Sequence, residues 1–311
     1  MRPCGTKTRG CGWRQHAPLR AGRAAGSLAF MEKVGGGGGS TGDHPLLGVD
    51  GVEGPIGDYL ARIGDVFRVF GRQDSGCVAY GVQLPDRDER WFVKTALGGR
   101  GLRSLERAWD FHRSVRHPVI VPQLHRIASR FGSAVVMPWR DGEVLYDPAE
   151  HGRGDRRSPG SPMARFRALP VDRIEEAFAR VLDAHIAVED AGYVAVDLYD
   201  GALLYDFAAG EMSLIDLDEY RPGPFVLDAE RLPGSTRFMA PEEFARGATI
   251  DARTTVHALG RTARLLLDAG DEERAWRGTA AQLDVLERAT HPDPGERFAG
   301  VREFREAWSR S

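Results

Sequence analysis

Between Leu60 and Thr95 the chain sets out three short runs rich in Val, Phe and Tyr: Val66 to Phe70, Gly76 to Leu84 and Trp91 to Thr95. Gly, Asp and Pro separate them, so they read as antiparallel strands joined by tight connections. Leu102, Leu105, Trp109 and Val115 then recur near helical spacing and predict a helix. It should end before His117-Pro118, because proline steers the residue before it out of the helical region. Ser133 to Met137 reads as a further buried strand, and the polar stretch Tyr146 to Pro162 as a mobile loop. The second half opens on a periodic helix, Val171 to Glu189, with Ile174, Phe178, Val181, Leu182 and His185 on its inward face and Gly192 placed to stop it. Two strands, Leu203 to Phe207 and Met212 to Ile215, follow. Helical patterns then recur around Pro241–Ala245, Thr255–Leu267, Ala275–Ala289 and Val301–Trp308. A small sheet with one helix, then a mostly helical half, predicts an α+β fold of two lobes with a cleft between them.

Composition narrows the class. The 311 residues carry 42 basic and 45 acidic side chains, a net charge of -3, and 42% are hydrophobic. These are values of an ordinary globular chain. Near-neutrality removes the basic footprint of a nucleic-acid binder. No uncharged apolar run approaches the length that spans a bilayer. Three cysteines, Cys4, Cys11 and Cys77, show no metal-ligand spacing and suit a reducing cytoplasm. Charge divides the chain near Pro45. Residues 1–45 hold a balance of +5 and the run Gly35 to Gly39, against -8 for the remainder, and are expected to be a disordered tail. No apolar core follows the basic start, so an export signal is disfavoured. Met31 offers an alternative translation start. The folded domain is expected over about 60–310.

Six ordered segments resemble a bacterial serine/threonine protein kinase domain over Gly64 to Trp308. Gly71-Arg72-Gln73-Asp74-Ser75-Gly76-Cys77-Val78 resembles the glycine loop, with Gln73 in place of the middle glycine. Trp91-Phe92-Val93-Lys94 resembles the strand bearing the nucleotide lysine, and Gly192 to Leu198 the approach to the catalytic loop, with Asp197 at the base position. Leu214-Ile215-Asp216-Leu217-Asp218 resembles the metal-binding segment. Gly234 to Glu242, ending Ala240-Pro241-Glu242, closely resembles the end of an activation segment, and His291 to Phe298 the late turn. Alone each piece is weak; their order and distances carry the resemblance. It implies a two-lobed kinase-like fold, with a small antiparallel-sheet lobe over about 60–137 and a mainly helical lobe over about 140–310.

The resemblance also implies a site for ATP and Mg²⁺ or Mn²⁺. Phosphoryl transfer asks the protein to hold the triphosphate, neutralise its charge and align the acceptor hydroxyl. Gly71 and Gly76 would let the backbone approach phosphate. Lys94 would supply a fixed cation, Asp216 would hold the metal, and Asp197 would act as base. Glu106 is the expected helix partner of Lys94, with Asp110 the other acidic residue there. Val136 to Trp139 reads as the hinge, with Met137 at the gate, backbone groups near Pro138 and Arg140 facing adenine, and Val78 and Leu204 sandwiching the ring. Arg297 is expected to form a buried ion pair with Glu242.

Departures cluster at the catalytic loop. Ala202 stands where the second metal ligand, asparagine, is usual; Tyr199, Val196 and Asp218 replace the loop lysine, the loop arginine and the metal-segment glycine. Thr255 replaces an anchoring aspartate. Asp200 or Asp218 could supply the lost oxygen, although Asp200-Gly201 also reads as a simple turn. The expected function is therefore an atypical cytoplasmic serine/threonine protein kinase acting on an unknown protein. The alternative is a pseudokinase that binds a partner or nucleotide without turnover, and a small-molecule kinase stands third.

Overall fold

The computed structural model describes residues 44–71, 76–85, 87–147 and 156–311. The tail up to residue 43, with Cys4 and Cys11, lies outside them, as do Gln73 of the glycine loop and 148–155 of the expected loop. The architecture is α+β. A six-stranded sheet is built from β1 (Gly51–Val52), β2 (Asp65–Phe70), β3 (Cys77–Leu84), β4 (Glu89–Ala96), β5 (His125–Ser129) and β6 (Gly132–Pro138), in the order β1-β5-β6-β4-β3-β2. Only β1 and β5 run parallel; every other neighbour is antiparallel.

Period-two alternation gives this sheet two apolar faces. Trp91 and Val93 of β4 join Val82, Leu84, Ile127 and Val136 beneath helix α1 (Ile56–Ile63), whose Ile56 and Leu60 are buried. On the other face Ala96, Val135 and Cys77 pack against Leu105 of helix α2 (Gly99–Ser114). Lys94 falls in phase with Ala96, so strand geometry sends its side chain to the α2 face. The packed region begins earlier than expected. Leu46 is fully buried, His44 stacks edge-on against Trp91, and the Tyr59 hydroxyl donates to the Pro45 carbonyl at 2.5 Å. His44 and Pro45, expected in the tail, thus belong to the fold, because Trp91 and α1 leave an apolar edge that this segment covers.

The second core gathers on helix α4 (Val171–Asp190), with α3 (Pro162–Arg167), α5 (Ala252–Leu266), α6 (Ala280–Ala289) and α7 (Val301–Arg310) around it. Strands β7 (Glu143–Val144), β9 (Leu203–Asp206) and β10 (Glu211–Leu214) form a small sheet on its side. The short pairs β8 (Tyr193–Val194) with β11 (Arg221–Pro222), and β12 (Phe225–Val226) with β13 (Thr249–Ile250), complete the strands. Ile174, Phe178, Val181, Leu182 and His185 of α4 are all buried, as their spacing predicts. Gly192 at φ +75 lies just past the helix end and donates to the Glu189 carbonyl, in a conformation glycine adopts without strain. His185 is held neutral by burial, between the Val181 carbonyl and the Tyr220 hydroxyl. The helical pattern at Pro241–Ala245 is a single 3-10 turn, Pro241–Phe244, and that at Ala275–Ala289 begins only at Ala280, where Thr279 and Gln282 form a capping box. Among the described residues no helix is long and apolar enough to cross a membrane.

Glu242 and Arg297 form a bidentate pair at 2.7 and 2.9 Å. Thr254 donates to the carboxylate, and the guanidinium also donates to the carbonyls of His291, Arg253 and Pro292. The Arg297 side chain is fully buried. Removing one partner strands a buried charge, which costs about 3–5 kcal/mol. Arg297→Met is accordingly expected to lower the unfolding free energy by about that amount in denaturant titration.

Candidate functional site

The centre of the site is the Lys94 ammonium. Its side chain is 6% exposed, and Nζ donates to Asp216 Oδ1 and to Asp218 Oδ2, both at 2.6 Å. After β10 the chain turns at Asp216, which takes φ +57. The alternation of side chains through the next residues then aims Asp216 and Asp218 at Lys94 and Leu217 into the helical core. Burial alone would pull the ammonium toward neutrality; the two carboxylate charges outweigh it and hold Lys94 well above the ordinary lysine range. The same charge holds Asp216 below its usual value, whereas burial pushes Asp218 up.

Asp197 stands beside this triad on the loop after β8. Its approach is anchored where the Ala195 N–H donates to Thr255 Oγ1 at 3.0 Å, so the threonine hydroxyl supplies an acceptor in place of the expected aspartate. Burial pushes the Asp197 carboxyl up to about 7, and the charges of Asp216 and Glu219 act in the same direction. Asp197 also takes a positive φ, +62. Four non-glycine residues do so among the described ones, and two of them are Asp197 and Asp216. Non-glycine residues in the left-handed region collect where surrounding structure over-determines the backbone, commonly at functional sites. Tyr199 donates its hydroxyl to Asp216 Oδ2 at 3.4 Å.

Two expected site residues fall elsewhere. Glu106 is exposed on α2 and makes no pair with Lys94; the helix turns Ser104, Leu105 and Ala108 inward and Glu106 to solvent. The expected Lys94–Glu106 pair is replaced by the two carboxylates of the Asp216 turn. Asp200 is fully buried, and both its oxygens are taken by Arg156, Nη2 at 3.1 Å and Nε closer still. Arg156 in turn stacks over the Tyr146 ring. A carboxylate so enclosed has no oxygen turned to a metal, so the expected role of Asp200 as a ligand is withdrawn. Ala202 is buried, its carbonyl accepting from the Ile215 N–H.

The expected nucleotide residues lie on the surrounding strands. Gly71 follows β2, and Gly76, at φ +75, precedes β3; space is open where a side chain would begin at either. Val78 on β3, Met137 on β6, Arg140 just after β6 and Leu204 on β9 are all half-buried. Among the described residues no group of three or more His, Cys, Asp or Glu side chains is arranged to hold a metal ion. Magnesium asks for one or two carboxylates when phosphate oxygens and water fill its remaining positions. Asp216, with 42% of its side chain exposed, and Asp218 are the donors chemically fit for that, and Asp216 Oδ2 is the oxygen not engaged by Lys94.

Sequence reasoning missed Asp218 as a partner of Lys94, although two signals were there. Asp216 and Asp218 flank an apolar residue at the spacing that faces one side, and Lys94 is the one lysine after Lys33 in a chain that otherwise uses arginine for its cations. A compact ammonium carries three donors that it can turn toward two converging carboxylates. No family model matches the chain, and no curated protein matches it significantly.

Two outcomes are expected. Asp200→Ala leaves Arg156 uncompensated and should lower stability by about 3–5 kcal/mol in a denaturant titration. Asp197 binds its proton more tightly in the folded state, near pH 7, than at its ordinary 3.8. It therefore adds stability at low pH that is lost as pH rises through about 7. Melting temperatures should show Asp197→Asn gaining on the parent from about pH 4 up to about 7 and holding a constant lead above that.

Proposed function

We propose that this chain is an atypical serine/threonine protein kinase: a phosphotransferase that binds ATP with Mg²⁺ or Mn²⁺ and transfers phosphate to a protein hydroxyl. The observation that carries the reading is the meeting of Lys94, from the middle of the six-stranded sheet, with Asp216 and Asp218, from the turn after β10, beside Asp197. On this reading the sheet and α2 form the smaller lobe, the helices around α4 the larger one, and nucleotide lies in the cleft between them. The order of Lys94, Asp197, Asp216, Ala240-Pro241-Glu242 and Arg297-Phe298 favours a protein acceptor over a small molecule.

Lys94 would neutralise phosphate oxygens as it now neutralises two carboxylates. Asp216, with Asp218 next to it, would hold the divalent ion, whose bound form neutralises charge on the phosphates. Asp197, with a pKa near 7, exchanges its proton at neutral pH and is suited to take the proton of the acceptor hydroxyl. Val78, Met137, Arg140 and Leu204 would line the adenine side, and Gly71 and Gly76 the phosphate side.

A second reading, a pseudokinase that binds nucleotide or a partner without turnover, is favoured by one arrangement. Ala202 offers no oxygen from its side chain, and Asp200 is closed off by Arg156. Incubating the parent with labelled ATP, either metal and a generic protein substrate separates the two readings, with Asp197→Asn as the inactive control. Calorimetry supplies the binding half. ATP–Mg²⁺ affinity is expected to fall at least about tenfold in Lys94→Met and in Asp216→Asn, the equivalent of one charge-assisted hydrogen bond lost in each. Binding as tight as the parent's in both variants would overturn the site. Tight binding with no turnover in the parent would select the pseudokinase.

A further inference from the structure

The expected ion pair between Lys94 and helix α2 is missing, yet the helix is not disconnected from the site. Glu219, one residue beyond Asp218, has a side chain only 12% exposed, and three donors converge on it. Arg107 Nη2 lies 2.6 Å from Oε1, Ser104 Oγ donates to the same oxygen at 2.7 Å, and Arg221 Nη2 donates to Oε2 at 3.3 Å. Ser104 and Arg107 stand three residues apart on α2, on one helix face, and Arg107 Nη2 also donates to Ser104 Oγ at 3.1 Å. Arg107 Nε reaches the Asp218 carbonyl at 3.2 Å. Asp218 is thus held at both ends, its carboxylate by β4 through Lys94 and its backbone by α2 through Arg107.

We infer that Arg107 and Glu219 are positioning residues that set Asp216 and Asp218 on Lys94, a latch in which the helix supplies the cation and the segment after the Asp216 turn supplies the anion. The polarity is the reverse of the expected one, in which a helix carboxylate would have met the lysine directly. The electrostatics require some such device. Asp197, Asp216, Asp218 and Glu219 fall close together in the fold with one lysine among them, and the Glu219 charge pushes both Asp197 and Asp218 upward. Pairing Glu219 with Arg107 and Arg221 turns that repulsion into a contact that holds the segment on the helix. It also commits Lys94 to Asp216 and Asp218 alone. Movement of α2 would then reach the Lys94 centre through Arg107 and Asp218 rather than through an α2 side chain that itself touches Lys94.

The inference rests on Lys94 being the centre of the site, but its test needs no nucleotide. In the full chain without ATP, the rate of acetylation of Lys94 by a small amine-reactive ester is followed by peptide mass spectrometry, with a thermal melt of each variant alongside. Arg107→Met and Glu219→Gln are each expected to speed Lys94 acetylation about tenfold, the factor for one lost hydrogen bond to a charged group. Glu106→Ala, on the exposed side of the same helix, should leave the rate at the parent value. Because each single variant already removes the Arg107–Glu219 contact that both residues share, their effects should fall short of multiplying in the double variant. Parent-like rates in both single variants, or factors that multiply in the double variant, would overturn the latch. Should either variant lose its cooperative melt, Ser104→Ala removes one Glu219 donor with little change of volume, and a parent-like rate there overturns the latch equally. A parent that fails to bind ATP–Mg²⁺ while Arg107→Met still exposes Lys94 would end the proposed function and leave the latch standing.

Discussion

A lysine ammonium withdrawn from water needs anions within hydrogen-bond reach, and the parts of this structure that bear on function are arranged around meeting that need. Lys94 sits in the centre of the sheet, flanked by Ala79 on β3 and Val135 on β6, and is itself buried. The penalty of burying a single charge there would be several kcal/mol, and only close partners of opposite sign offset it. Asp216 and Asp218 supply those partners from a segment more than a hundred residues away. The contact therefore ties the sheet to the turn that follows the small second sheet.

Two acidic side chains face the single lysine, so the centre holds more acidic than basic groups. Asp197 is buried beside it, and burial first, then the charges of Asp216 and Glu219, push its carboxyl up to about 7. A site in this condition attracts protons and cations. On the proposed reading, that is why phosphate would enter with a divalent ion rather than as a free anion. Tyr199, whose hydroxyl donates to Asp216, adds no positive charge to the centre.

Around this charged centre the supporting contacts are built from single hydrogen bonds and closed pairs. Thr255 anchors the loop that carries Asp197, with a hydroxyl sufficient to accept one backbone N–H. Arg297 closes on Glu242 with every donor used, which fixes the turn after Ala240. Arg156 closes on Asp200 in the same way, which turns a candidate ligand into a structural residue. In the two ion pairs each buried charge faces a charge of opposite sign, as burial requires.

What the residues alone determined is local and periodic. The alternation in β3 and β4, the inward face of α4, the stop at Gly192 and the order of Lys94, Asp197, Asp216, Glu242 and Arg297 are all legible in the string, because each depends on neighbours a few positions apart or on sequential order. Helix α1 and strand β5 were not legible. Ile56–Ile63 is a short helix carrying a glycine, and His125–Ser129 has a single buried residue, so both owe their state to what they pack or pair with. That neither Glu106 nor Asp110 but Arg107 would be the helix residue turned toward the site also lay beyond reach. Adjacent residues on a helix point about 100° apart, and the phase of α2 is set by Leu105 and Ala108 seating on the sheet. Which of Asp200 and Asp218 stands at the site was likewise decided in three dimensions. Arg156, forty-four positions away, captured one of them, and the backbone turn at Asp216 delivered the other. Charges choose partners through space, and only the packed chain brings those partners within reach.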